Sequence, residues 1–109
     1  MAWLLKDGEV LATVEVASSI IERSRGLLGL DSFDGAILLR STRSIHTLGM
    51  RFPIDVAFCD KLLTVISVAR VPPYRLCLPR LKARCVIEAQ AGAFERWHLR
   101  LGDHLEVRA

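Results

Sequence analysis

The feature that most constrains the fold is a succession of short apolar runs, rich in β-branched residues and separated by turn residues. Runs of this kind predict β-strands. Pro72-Pro73 should end the longest run, because proline cannot donate a ladder hydrogen bond. So many short strands predict an α+β, mainly β fold, a compact barrel or sandwich with one principal helix packed against it. We expect strands at Trp3–Glu15, Ala36–Arg40, Ile54–Cys59, Leu62–Val71, Arg84–Gln90 and around Leu105 and Val107.

The first of these runs contains its own turn. Lys6-Asp7-Gly8-Glu9 has the residue types of a tight hairpin turn, so two strands should meet there. Beyond the turn, Val10, Ala12 and Val14 alternate with polar residues. Because side chains alternate between the two faces of a strand, these three are expected to lie on the same face.

Two helices are predicted. Ser19 followed by Glu22 is a capping-box pattern, and apolar residues then recur at helical spacing, which predicts the principal helix at Ser19–Leu28. A second, short helix is expected at about Ala93–Leu99, ending by Gly102.

Length and composition predict one globular domain spanning residues 1–109, with 51% hydrophobic and 25% charged residues. No apolar run approaches the roughly 20 residues that span a bilayer. The apolar patch at the start is too short for the core of a signal peptide. We therefore expect a cytoplasmic protein, although a precursor with a removed leader would leave the same sequence.

The net charge of +3 is unevenly distributed along the chain. A basic segment without any acidic residue could contact phosphates or an anionic surface, or could be a solvated loop. Nucleic acid is disfavoured because the segment offers only Tyr74 for stacking on a base. We expect residues 72–84 to be exposed, mobile and positive in potential. The cations concerned are Arg70, Arg75, Arg80, Lys82 and Arg84.

The three cysteines form no CxxC motif and favour reduced thiols over a disulfide framework. Cys59 lies in an apolar run and is expected to be a buried thiol. Cys77 and Cys85 flank the basic segment and could approach each other.

The candidate site for chemistry is the stretch from Ile45 to Asp60. His46 could be a proton shuttle or ligand contact, or a half-buried ring bonded to the backbone. Asp55 opens an apolar strand, so its carboxylate must be paired with Arg23 or Arg51, cap backbone amides, or serve a site. Glu88 interrupts another apolar run and faces either solvent or a pocket.

Four motifs in register resemble a family of bacterial and archaeal proteins, the "domain of unknown function 192" family. They are ERSRGLLGL (Glu22–Leu30), RFPIDVAFCD (Arg51–Asp60), VIEAQAG (Val86–Gly92) and LRLGDHLEV (Leu99–Val107). The resemblance implies a compact β-sandwich or barrel with a packed helix, and no established activity. Arg23, Asp55 and Glu88 match the family pattern. The family usually has Trp-Met-Lys-Asn-Thr where this chain has His46-Thr47-Leu48-Gly49-Met50, which resembles a His-type branch.

Known cofactor and catalytic motifs are absent from the sequence. It contains no GxxxxGK[ST], GxGxxG, HExxH or GxSxG pattern, and its histidines lack metal-ligand spacing. We therefore expect no cofactor and no structural zinc.

Three functions remain open. The leading hypothesis is a small binding or accessory module for an unknown small molecule or protein, with a polar cleft. A second is a small hydrolase or transferase that uses His46 with a carboxylate. A third is a structural or protein-interaction domain with the basic segment as its contact surface. The oligomeric state stays open. The candidate ligand-binding residues are His46, Met50, Arg51, Asp55, Glu88 and Arg23.

Overall fold

A computed structural model describes residues 2–17 and 32–109, which form seven strands and one short helix. The predicted helix at Ser19–Leu28, and Arg23 within it, lie outside the described residues. The elements are β1 (Ala2–Lys6), β2 (Glu9–Ala17), β3 (Ala36–Arg40), β4 (Ile54–Cys59), β5 (Val65–Val71), β6 (Cys85–Gln90), α1 (Ala93–Trp97) and β7 (Leu105–Arg108).

The strands form one sheet in the order β5-β4-β6-β3-β2-β1-β7, which curls into a half-barrel. Only the β2–β3 pair is parallel among the described strand pairs. The starts of the two edge strands meet, because Thr64 and His104 form an antiparallel bridge. The Leu105 amide also donates to the Leu63 carbonyl at 2.9 Å. The mainly β architecture predicted from the short apolar runs is confirmed.

The sheet has an apolar cluster on each face. The inner core contains Leu4, Ala57, Ile87 and Leu105 and takes residues from strands all around the half-barrel, together with Phe94 of α1. The outer core lies on the opposite face. Its principal members are Ile37, Leu39, Val56, Phe58, Val86, Met50 and Phe52. Strands β4 and β6 are buried on both faces because both are interior strands of the sheet and lie between these two clusters.

The predicted hairpin turn is present, but one predicted face is wrong. Asp7 and Gly8 both have positive φ, at 52° and 80°, as a type I′ turn requires. Leu11 is an extra residue in β2, since Leu4 pairs with Ala12 and Leu5 with Val10. A bulge of one residue moves the side chains before it to the other face. Val10 is therefore 56% exposed, whereas Val14 is buried.

Strand β5 begins three residues later than predicted because residues 60–64 form a turn. The Asp60 Oδ1 accepts the amides of Leu62 and Thr64 at 2.9 and 3.0 Å. This local bonding by an aspartate side chain ends one strand and starts the next. In the described residues, no helix has the length and apolar character needed to cross a membrane.

Two irregular segments, residues 41–53 and 72–84, cover part of the outer core and are bonded to each other. The Thr47 hydroxyl donates to the Pro72 carbonyl at 2.6 Å and accepts the Arg75 amide at 2.9 Å. His46 and Leu76 form an antiparallel bridge. The segment predicted as a basic loop is therefore pinned along its backbone to the segment that carries His46.

Candidate functional site

Asp55 is the polar residue most firmly built into the fold. It is 4% exposed, in β4, with Arg70 of β5 and Ala89 of β6 as its cross-strand partners. Its Oδ1 accepts Arg70 Nε at 3.0 Å. Its Oδ2 accepts the amides of Gly92 and Phe94 at 2.9 and 3.1 Å. Because both oxygens are bonded, Asp55 positions other groups and is poorly placed to take a proton from a ligand.

These bonds explain where α1 begins. The first amides of a helix lack partners within the helix, and a side-chain carboxylate is a good acceptor for them. Gly92 has φ 100° and offers no side-chain cap of its own, so Asp55 supplies the acceptor from the neighbouring strand. Capping of amides by Asp55 was one of the roles expected from the sequence. Among the described residues, the arginine bonded to Asp55 is Arg70. The sequence suggested Arg51 or Arg23, and Arg23 lies outside the described residues.

A cleft of about 380 Å³ lies beside Asp55, between α1 and β5. Its apolar walls are Val68, Phe94 and Leu99. The polar residues on its surface are Asp55, Arg70, Glu95, His98 and Arg100. A site with apolar walls and a few polar groups is typical of small-molecule binding.

The cleft is lined by two arginines, Arg70 and Arg100, and by two carboxylates, Asp55 and Glu95. The Arg70 side chain is 55% exposed. The hydrogen bond to Asp55 raises the pKa of Arg70 above its ordinary value, and the charge of Asp55 adds to this effect. A guanidinium carries five N–H donors, so the single bond through Nε leaves others to contact a ligand. Arg100 lines the same cleft with no acidic residue bonded to its side chain among the described residues.

His98 enters the cleft because α1 ends there. It adopts the left-handed conformation at φ 54°, and its amide donates to the Glu95 carbonyl at 3.1 Å. The next amide, of Leu99, donates to the Phe94 carbonyl at 2.9 Å. In the sequence, His98 lacks metal-ligand spacing and gives no other signal, so its place beside Arg70 and Arg100 was not predicted.

The sheet separates Asp55 from Glu88. Glu88 is 1% exposed and pairs across strands with Val56 and Ile37, both members of the outer core. Asp55 alternates with Val56 along β4 and so lies on the inner-core side, where it bonds to Phe94. The two carboxylates therefore do not converge on one cavity.

The segment at residues 41–53, which carries the candidates His46, Met50 and Arg51, lies on the side of Glu88. Met50 is fully buried in the outer core. His46 is half-buried, and its Nδ1 accepts the Leu48 amide at 3.3 Å in a local turn. Arg51 is exposed. The structure brings Asp55 together with Arg70 and His98, not with His46, Met50 or Glu88.

The cysteines lie as expected from the sequence except for the pair Cys77 and Cys85, which do not approach each other. Cys59 is fully buried, as predicted, and faces Cys85 across the β4–β6 pair. A hydrogen bond with Cys85, followed by burial, raises the pKa of the Cys59 thiol. Cys77 packs against the outer core, while Cys85 belongs to the inner core, so the sheet keeps them apart. Burial raises the pKa of Cys77, with Arg80 acting against it.

In the part of the chain that the structure describes, His, Cys, Asp and Glu form no group of three suited to a metal.

Comparison with known proteins defines the class. The family model DUF192, described as "Uncharacterized ACR", matches residues 2–107. The UPF0127 protein PH1112 of Pyrococcus horikoshii is 31% identical over 98 residues, covering 85% of each chain. The UPF0127 protein of Thermococcus sibiricus is 28% identical over 99 residues, but this chain spans 64% of its length.

A solved structure shares the fold. A Sinorhizobium meliloti 1021 protein, described as a proposed transcription regulator, superposes with a TM-score of 0.79 at 21% identity, covering 97% of this chain and 91% of its own. The fold and cleft thus define a small half-barrel protein of uncharacterised function. The chain belongs to the DUF192 family, which includes the UPF0127 proteins.

Proposed function

We propose that this chain is a small binding or accessory module whose ligand is a small organic anion held in the cleft beside Asp55. The observation that carries the proposal is Arg70, which the buried Asp55 anchors through Nε at the edge of that cleft. A guanidinium is planar and pairs with carboxylate and phosphate groups through two parallel hydrogen bonds. Anchoring one edge of the guanidinium limits the entropy lost on binding.

The rest of the cleft fits the same chemistry. Arg100 and His98 add donors around Arg70, while Val68 and Phe94 offer apolar contact to a carbon skeleton. Glu95 lines the same cleft and opposes an anion, so the anionic group has to contact the arginines. The volume of about 380 Å³ is near the lower end of ligand pockets, which run from roughly 300 to 1,000 Å³. The favoured ligand is a short molecule with one carboxylate or phosphate and a small apolar portion.

Binding is favoured over a hydrolase or transferase that uses His46 with a carboxylate. Such chemistry needs the acid and the base within hydrogen-bond reach of one substrate. His46 sits beside the outer core, whereas Asp55 faces the inner core and has both oxygens bonded. Of the residues expected from the sequence, the proposal retains Asp55, as the residue that positions Arg70.

Thermal unfolding in the presence of simple anions tests the proposal. A ligand that binds the native state raises the melting temperature. Inorganic phosphate and citrate should raise it in a saturable way, while glucose at the same concentration should not. Sodium chloride keeps the ionic strength constant. Phosphate also stabilises proteins through general exclusion from their surface, but that effect grows with concentration without saturating.

Two arginine variants make this test specific. Arg100→Gln removes a cleft cation and should abolish most of the saturable shift. Arg96→Gln removes an exposed arginine of α1 that does not line the cleft, and should leave the shift unchanged. Equal shifts in both variants, or shifts that never saturate, would refute binding in this cleft.

A further inference from the structure

The segment from Tyr74 to Lys82, called here the leucine loop, exposes an unusual amount of apolar surface. Leu76, Leu78 and Leu81 are 76%, 79% and 78% exposed, and Tyr74 is 64% exposed. Single exposed leucines are common on protein surfaces, but four large apolar side chains within nine consecutive residues are not. A concentration of this kind usually marks an interaction surface.

The loop is held in place with these side chains outward. Arg80 donates to the Leu78 carbonyl at 2.6 Å and to the Ser67 hydroxyl at 3.3 Å, and its guanidinium lies 4.7 Å from the centre of the Phe58 ring. Arg84 donates to the Leu81 carbonyl at 3.1 Å. Two arginines that could have covered the leucines instead bond to their carbonyls, so the fold displays Leu78 and Leu81.

The loop is also positively charged. Arg75 and Lys82 are exposed beside the leucines, and residues 72–84 contain no acidic residue. A surface that combines protruding apolar side chains with cations matches the boundary of an anionic bilayer, which has acyl chains beneath phosphate groups. Tyr74 adds an aromatic ring with a polar end, a residue type enriched at that boundary.

We propose that the leucine loop docks on an anionic lipid surface. Leu76, Leu78 and Leu81 insert at the headgroup boundary, and Arg75 and Lys82 contact lipid phosphates. This interaction is separate from the cleft beside Asp55 and does not depend on the ligand proposed there.

The charge pattern favours lipid over other occupants. A second copy docked through the same surface would bring two sets of cations together without any acid to offset them. Duplex nucleic acid would satisfy the cations but would leave the leucines in water. A lipid surface satisfies both the charges and the apolar side chains.

Sedimentation with lipid vesicles tests the proposal. The protein should co-sediment with vesicles containing phosphatidylglycerol, bind weakly to pure phosphatidylcholine, and lose binding as salt rises. The double substitution Leu78→Ser with Leu81→Ser should weaken partitioning roughly tenfold or more. Lys82→Gln should weaken it roughly fivefold.

Leu101→Ser is the matched control, because Leu101 is 65% exposed outside the loop and its loss should not change partitioning. All the substituted side chains are exposed, so circular dichroism should show unchanged folding. The proposal is overturned if the wild type does not bind vesicles containing phosphatidylglycerol at low salt, or if the double leucine variant binds as well as the wild type. It is also overturned if light scattering shows a dimer that the leucine variant abolishes, which would make a second copy the occupant. Binding to duplex DNA with displacement from vesicles, regardless of the leucines, would equally overturn it.

Discussion

Asp55 and Phe94 are 39 positions apart, yet the Asp55 Oδ2 accepts the Phe94 amide at 3.1 Å inside the protein. The other oxygen of the same carboxylate accepts Arg70 Nε at 3.0 Å. One buried side chain of β4 therefore sets both where α1 starts and where Arg70 is held. These two groups form opposite walls of the cleft, so its shape depends on Asp55.

Asp55→Ala should destabilise the protein by about 3 kcal/mol. The change leaves the part-buried amide of Gly92 and the buried amide of Phe94 without their charged acceptor, and a hydrogen bond to a charged group contributes roughly 1.5–3 kcal/mol. Denaturant unfolding followed by circular dichroism measures the change.

Arg70→Ala is the control for that measurement. Because the Arg70 side chain is 55% exposed, its ion pair should contribute less than about 1 kcal/mol. If the two substitutions destabilise equally, the ion pair and not the amide bonds would be the main role of Asp55.

Gly35→Ala should be more destabilising than Gly8→Ala. Both glycines have positive φ, at 82° and 80°, so the left-handed conformation of an alanine at either position should lower the free energy of unfolding by roughly 1–2 kcal/mol. At Gly35 the new Cβ would also lie 2.6 Å from Thr13 Oγ1 and 2.9 Å from the Thr13 carbonyl oxygen, adding about 1–3 kcal/mol. Gly8 has open space around it. Equal losses in thermal unfolding would show that β2 and β3 are less closely packed here than described.

Asp103 should make stability depend on acid pH. Burial opposes its ionisation, but bonds from Lys6 Nζ at 2.9 Å and the Arg100 amide at 2.7 Å outweigh this and lower the pKa of Asp103. A carboxyl with a depressed pKa stabilises above its unfolded pKa and loses that contribution as pH falls through the folded pKa.

Asp103→Asn should therefore cost about 1 kcal/mol at pH 7, and the difference from the wild type should shrink below about pH 4. Urea unfolding between pH 2 and 7 gives the curve. Asp34→Asn is the control at an exposed residue, and the difference between its free energy of unfolding and that of the wild type should not change with pH. A difference for Asp103→Asn that is constant with pH would exclude the ionised contact.

Alkylation should distinguish the three thiols. Cys59 is fully buried and its pKa is raised, so iodoacetamide near pH 8 should leave it unmodified in the native protein. Cys77 is partly exposed and should react first, because access decides the order. Cys85 is buried and should react more slowly, even though its hydrogen bond with Cys59 lowers its pKa. Peptide mass spectrometry measures the extent of alkylation at each cysteine. In guanidinium, where the protein is unfolded, the three cysteines should react at similar rates. Modification of Cys59 at the rate of Cys77 would contradict the packing of β4 against β6.

The bounds of a strand were predictable where an apolar run is enclosed by turn residues. Ala36–Arg40 and Ile54–Cys59 were predicted with the bounds that the structure has, because each is an apolar run between turn residues. The face of Val10 was not predictable, since a bulge at Leu11 leaves no mark in the sequence pattern.

The candidate site was harder to predict because it depends on register. The turn at residues 60–64 pairs Cys59 with Val65, and that register alone would set Asp55 opposite Ala69. Ile66 is an extra residue in β5, which moves the partner of Asp55 to Arg70. The pairing of Val56 with Glu88 places Glu88 on the outer face. This register between β4 and β6 joins distant segments and cannot be obtained from either strand alone. The residue type therefore indicated that Asp55 is important, but its neighbours can be identified only from the pairing of the strands in the sheet.

The most direct test of the proposed anion site is an NMR titration of ¹⁵N-labelled protein with citrate at constant ionic strength. The account predicts saturable shifts concentrated in the amides of residues 68–70 and 93–100, which surround the cleft, and their loss in Arg100→Gln. Shifts confined to the leucine loop, or the absence of any saturable shift, would contradict it.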